Sequence, residues 1–273
     1  MKLTVYDTLY DWQKPFVDKI IESHLDEEYL RWGFFLRMGI GKTKIMVAAA
    51  EKRKSDCIIV TSIKSKVTEE FDEGSFGDEL RQAGYEVFFS HKLTRAHRLD
   101  TTSDSKAAQV EYLRKLESAI EKGKKVAFVN NYENILTQAG YVIINVLGQH
   151  YNNISWIFDE SHKLKDKDSR VTKRVRGMLY NKYVPALKKR RTPNYFKENI
   201  KQVFLGTGTP FTVGYEDFYS QLDLLGIDMN YGEFTDRFLD LDHDARRYNP
   251  FAKVIKGYKD REGLLDLVES KAF

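Results

Sequence analysis

Short apolar runs recur along the chain, and each is separated from the next by a stretch with helical spacing. Gly33-Phe34-Phe35-Leu36, Ile58 to Thr61, Glu86 to Phe89, Val126 to Asn130, Ile154 to Phe158 and Gln202 to Leu205 read as strands. Ile45 to Arg53 is rich in helix formers, and Ala107 to Lys122 continues the alternation. Val171 to Tyr180 sets Val171, Val175, Met178 and Leu179 on one helical face, with Lys173 and Arg176 opposite and exposed. Strands alternating with helices predict an α/β fold: a mostly parallel central sheet with helices on both faces and ligands at the carboxyl ends of the strands. Thr101 to Ser105 and the segment around Lys188 to Asn194 read as loops, too short for domain linkers.

Composition narrows the picture. Of 273 residues 42% are hydrophobic and 31% charged, the balance of a globular chain rather than a disordered one. One lobe is expected, made of an N-terminal segment (residues 1–30), a core (31–210) and a helical extension (211–273). No apolar run approaches the roughly 20 residues that cross a bilayer, and the N-terminus lacks the apolar core of a signal peptide. A cytoplasmic protein without membrane contact is expected. Cys57, alone in its apolar run, reads as a buried small hydrophobe. The net charge of +4 is modest, but its distribution is uneven. Lys163 to Arg191 holds 12 Lys and Arg against two Asp, and Pro210 to Asp244 holds 9 Asp and Glu against one Arg. The basic stretch, with Lys188, Lys189, Arg190 and Arg191 at its end, is the candidate surface for nucleic-acid phosphates.

Three strand ends carry candidate chemistry. Gly39-Ile40-Gly41-Lys42-Thr43 lies between a predicted strand and a predicted helix. Glycines there turn the backbone so that its N–H groups face a phosphate. Lys42 would neutralise β and γ oxygens, and Thr43 would offer its hydroxyl to Mg²⁺. The full eight-residue pattern asks for glycine where this chain has Leu36. The strand ending at Phe158 runs into Asp159-Glu160-Ser161-His162; Asp159 would hold Mg²⁺ through water, Glu160 would polarise an attacking water, and His162 would report nucleotide state to a neighbouring loop. Gly206-Thr207-Gly208-Thr209-Pro210 puts small hydroxyl residues at a third strand tip, suited to linking hydrolysis with grip on a nucleic-acid backbone. Near the N-terminus the amide of Gln13 could pair with N6 and N7 of adenine.

Taken in order, Gln13, Met38 to Thr43, Thr61-Ser62, Asn131-Tyr132-Glu133, Asp159 to Lys165 and Gly206 to Pro210 resemble the first-lobe motifs of Swi/Snf-type superfamily-2 ATPases. The stretch Glu216 to Leu225 is similar to the helix after the Gly-Thr-Pro loop in that family, and Phe234 and Phe238 fit the segment beyond it. The resemblance implies a RecA-like lobe that binds ATP and Mg²⁺. It also implies DNA, duplex in preference to single strands, across the loops beginning at Thr61, Asn131 and Thr207, with Ser62, Tyr132 and Thr209 beside them. Leu36-Arg37 stands where the family has an acidic pair, and the Q-x-x-G-R-x-x-R motif of the second lobe is missing. The expectation is therefore a motor lobe that binds nucleotide, hydrolyses it poorly alone, and works with a second RecA-like lobe in cis or in trans. By analogy, the small size suits a bacterial or phage enzyme. A DEAD-type RNA helicase lobe and a nucleotide-sensing module without turnover are the alternatives; His162 and the Gly-Thr-Gly-Thr-Pro loop argue against the first, and Lys42, Asp159 and Glu160 against the second.

Overall fold

Each of the six apolar runs is a strand in the computed structural model, which describes residues 3–68, 72–92, 103–180, 196–210, 214–242 and 254–273. The strands are β1 (Leu30–Phe34), β2 (Cys57–Ser62), β3 (Glu86–Phe89), β4 (Val126–Asn131), β5 (Ile154–Asp159) and β6 (Ile200–Gly206). They form one sheet in the order β1-β6-β5-β2-β4-β3, with every pair parallel. The fold is thus the parallel α/β class expected of a RecA-like lobe. β2, β4 and β5 are buried along their whole length, because helices cover both faces. That is why these strands read as continuous apolar runs and not as alternating ones.

The pleat sorts the side chains. Ile58, Val60, Ala127, Val129, Ile157 and Phe204 face one layer, α1 (Lys14–Ser23), α2 (Lys42–Lys52), α3 (Lys64–Thr68) and α4 (Phe76–Gln82). Cys57, Ile59, Phe128, Trp156, Phe158 and Leu205 face the other, α5 (Ser103–Glu121), α6 (Gln138–His150) and α7 (Arg170–Tyr180). α2 is the most enclosed helix, with Ile45 to Ala50 fully buried. Its three alanines keep it slim enough to lie against α1, α4 and the sheet at once.

Some boundaries differ from the sequence reading. β1 begins three residues earlier than the expected Gly33 and stops at Phe34, because Leu30 and Trp32 supply its buried positions while Phe35 and Leu36 already lead into the glycine turn. Ser103 to Ser105, expected as loop, open α5. The β1 edge is not left open: Gly33 N–H donates to Lys271 O (2.7 Å), and Phe273 N–H donates to Gly33 O (3.0 Å). This pairing blunts the edge.

After the short α8 (Phe196–Asn199) and β6, a second cluster forms from α9 (Glu216–Leu224), α10 (Tyr231–Phe238), β7 (Leu239–Leu241), β8 (Ile255–Tyr258) and α11 (Arg261–Glu269). Phe218, Leu222, Phe234, Phe238 and Leu264 make its core. The basic and acidic stretches meet here. Arg176 Nε lies 2.8 Å from Asp223 Oδ2, Lys165 Nζ lies 3.4 Å from Asp217 Oδ2, and the Lys167 ammonium stands 4.5 Å from the Tyr231 ring centre. Arg176, expected to be exposed, is half-buried in this junction. Part of the basic stretch therefore holds the molecule together. No helix among the described residues is long and apolar enough to cross a membrane.

Candidate functional site

Strand register brings the three chemistry-bearing ends together. Phe34 pairs with Gly206, and Gly206 with Asp159, so the last residues of β1, β6 and β5 form one row. The glycine turn grows from the first, the Gly-Thr-Pro loop from the second and the acidic residues from the third. A Cβ built on Gly208 would lie 3.0 Å from Met38 Cγ, which shows how closely the first two loops approach.

In the glycine turn, Gly39 and Gly41 have φ of 82° and 74°, the left-handed region that side chains other than glycine enter only with strain. Gly41 caps α2. A Cβ at Gly41 would meet Gln13 Nε2 at 2.6 Å, so the turn needs glycine there for space as well as for conformation. Gln13 is buried; its Nε2 donates to Ile40 O (2.9 Å), and its Oε1 accepts from Tyr10 N–H (3.0 Å). The amide that sequence reading offered to adenine thus braces the turn against the N-terminal segment. Lys42 is also buried, and its ammonium donates to Leu36 O (2.9 Å) and Arg37 O (3.0 Å). Burial lowers its pKa, while Glu160 and Asp159 pull the other way. The lysine and the carboxylate pair, far apart in sequence, share one field. Thr43 follows in the first turn of α2, half-buried.

At the acidic strand end, Asp159 is 1% exposed. Its Oδ2 accepts from Ser62 Oγ (2.7 Å) and from Lys66 Nζ (2.9 Å). Its Oδ1 is buried with no hydrogen-bond partner. Glu160 turns the chain through φ 53°, strained for a side-chain-bearing residue, and its Oε1 lies 3.4 Å from Lys66 Nζ. His162 Nδ1 stands 3.3 Å from Glu160 Oε2 and 3.2 Å from Thr207 Oγ1. Burial depresses the imidazole's pKa against the pull of Glu160, so the ring is neutral at neutral pH. The acidic residues and the Gly-Thr-Pro loop are thereby linked by one side chain.

Most side chains expected beside nucleic acid turn inward. Thr61 is fully buried and its hydroxyl accepts from Trp156 Nε1–H (3.0 Å). Ser62 is committed to Asp159. Asn131 Oδ1 accepts from Asn134 N–H (2.8 Å), and the Tyr132 hydroxyl donates to Asp159 O (2.7 Å). Thr207, also buried, accepts from Thr209 N–H (3.1 Å). These groups shape the loops and are closed to an external backbone; of this set only Thr209 faces solvent. Lys188, Lys189, Arg190 and Arg191 lie outside the described residues.

Two contributors were given no role by the sequence reading. Lys66 belongs to no motif singled out there. Gln221 on α9 is fully buried; its Oε1 accepts from Ser161 Oγ (2.9 Å) and its Nε2 donates to Pro210 O. It ties the acidic loop to the Gly-Thr-Pro loop, and a polar residue between Ser220 and Leu222 in an otherwise buried helix was the available signal.

Two carboxylates near a helix N-terminus and a lysine suit a hard divalent cation that takes its remaining oxygens from a phosphate ligand and water. The orphaned Asp159 Oδ1 fits that use. Among the described residues no group of three or more His, Cys, Asp or Glu forms a self-sufficient metal site. Compared with known proteins, the chain matches no family model and no curated protein.

Proposed function

We propose that this chain is the ATP·Mg²⁺-binding lobe of a DNA-dependent motor ATPase. What carries the reading is the meeting of the Gly39–Thr43 turn and the Asp159–Glu160 pair in one row of strand ends, on either side of β6 and coupled through Lys42. The turn offers backbone N–H groups and the positive end of α2 to phosphate oxygens. Lys42 would exchange the carbonyls of Leu36 and Arg37 for those oxygens, a trade of neutral acceptors for charged ones. Bound Mg²⁺ supplies charge neutralisation at the phosphates. Asp159 would hold it, Thr43 would offer its hydroxyl, and Glu160 is the base beside them. The hydrogen bonds of His162 to Thr207, and of Gln221 to Pro210, give the acidic loop a path to the loop that carries exposed Thr209.

Equilibrium binding of a fluorescent ATP analogue tests the nucleotide part. Lys42→Ala should weaken it by roughly a hundredfold, the loss of a charge-assisted contact; unchanged affinity in a folded variant removes the glycine turn from the reading. The motor part is tested by ATP turnover with single-stranded DNA, duplex DNA and RNA, measured with a second RecA-like lobe supplied. Duplex DNA should stimulate most, and equal, unstimulated rates would sink it.

A further inference from the structure

We propose that Lys66 is an internal competitor of the divalent cation, so that the cation is admitted only together with phosphate; this rests on the nucleotide reading above. The Lys66 ammonium lies 2.9 Å from Asp159 Oδ2 and 3.4 Å from Glu160 Oε1. The ammonium takes both carboxylates at once, at the strand end where a divalent ion would be held through the partnerless Asp159 Oδ1.

Charge balance gives the contact its consequence. Two carboxylates faced by the ammonium groups of Lys42 and Lys66 bring formal charges that sum to zero. A bare divalent cation gains little by entering such a site, whereas one arriving with a polyanionic phosphate chain finds Lys42 engaged by the phosphates and the carboxylates free to bind it. The competitor can also leave cheaply. α3 is anchored by buried Val67, while the Lys66 side chain is 35% exposed and has a flexible four-carbon stem. The ammonium can swing into water without unpacking the helix. Ser62, which donates to the same Asp159 oxygen, is fully buried and stays to orient the carboxylate.

The test uses the whole chain and Mn²⁺ without nucleotide, with free Mn²⁺ read by its electron paramagnetic resonance signal. Lys66→Gln should bind Mn²⁺ about tenfold more tightly than wild type, a figure that discounts the pair for solvent screening. Lys66→Arg, which keeps the charge, should stay as weak as wild type, and Asp159→Asn added to Lys66→Gln should abolish the gain. Circular dichroism melts establish that each variant is folded. Equal Mn²⁺ affinity in folded wild type and Lys66→Gln overturns the proposal, as does a gain that survives Asp159→Asn. A Mn²⁺ gain in Lys66→Gln, combined with undiminished ATP binding by Lys42→Ala, would leave the competition standing and reject the nucleotide site instead.

Discussion

Glu160 and His162 are neighbours at the acidic strand end with different surroundings. Glu160 is partly exposed and held near Lys66 and His162, where a base can meet water. Glu160→Gln keeps the shape and removes the basicity; under the proposed function ATP should still bind, while turnover with a second RecA-like lobe supplied falls by about two to four orders of magnitude. Single-turnover hydrolysis measured beside equilibrium binding separates the two effects. His162 carries a pH signature. Its pKa is depressed in the folded protein, so below the ordinary imidazole value of about 6.5 the unfolded chain takes up a proton that the folded chain refuses. Its contribution is complete above that value and is lost as pH falls through the window beneath it. Thermal melts from pH 7.5 to about 5 should show a steeper loss in wild type than in His162→Asn, and parallel curves would count against this assignment. The Asp-Glu-x-His run was legible in the sequence, because an apolar strand ending in charge is a local pattern. Lys66 was not, because its partners lie far along the chain at the end of β5 and only the tertiary placement of α3 reveals them.

Among the elements, the glycine turn is the most exacting. Gly41 combines a left-handed backbone with contact to the Gln13 amide. Gly41→Ala should cost about 1 to 2 kcal/mol for the conformation alone, with more from displacing Gln13. A chemical denaturation series would register that loss, and an unchanged midpoint would show that the turn relaxes freely. The pattern Gly-x-Gly-Lys-Thr announced this element. That Gln13 would brace it, rather than stand open to a base, depended on how α1 packs beside α2. Likewise the strands were readable because fully covered strands are uniformly apolar, whereas β1 was misjudged because Trp32 and Leu30 are interrupted by Arg31, whose guanidinium stacks on Tyr180.

At the scale of the whole molecule, charge is spent twice. Arg176, Lys165 and Lys167 dock the α9–α10 unit through Asp223, Asp217 and Tyr231, which leaves fewer cations of the basic stretch for a polyanion. Lys188, Lys189, Arg190 and Arg191 then carry the proposed DNA contact. Reversing these four to glutamate should weaken duplex binding and lower the slope of log affinity against log salt by up to about 3 to 4. Fluorescence anisotropy across a salt series reads both quantities, and an unaltered slope would move the DNA surface elsewhere.

By itself the sequence determined the parallel α/β class, the presence of the six strands of the central sheet, with β1 misplaced by three residues, and the identity of the charged strand ends. All of these come from periodicity and from residue types within a few positions of one another. Tertiary structure alone decided that Phe34, Gly206 and Asp159 stand in one row, that Lys66 reaches the carboxylates, and that Thr61, Ser62 and Tyr132 face inward. Strand order and helix placement come from the burial of both sheet faces at once, a condition summed over the whole chain that no local stretch encodes.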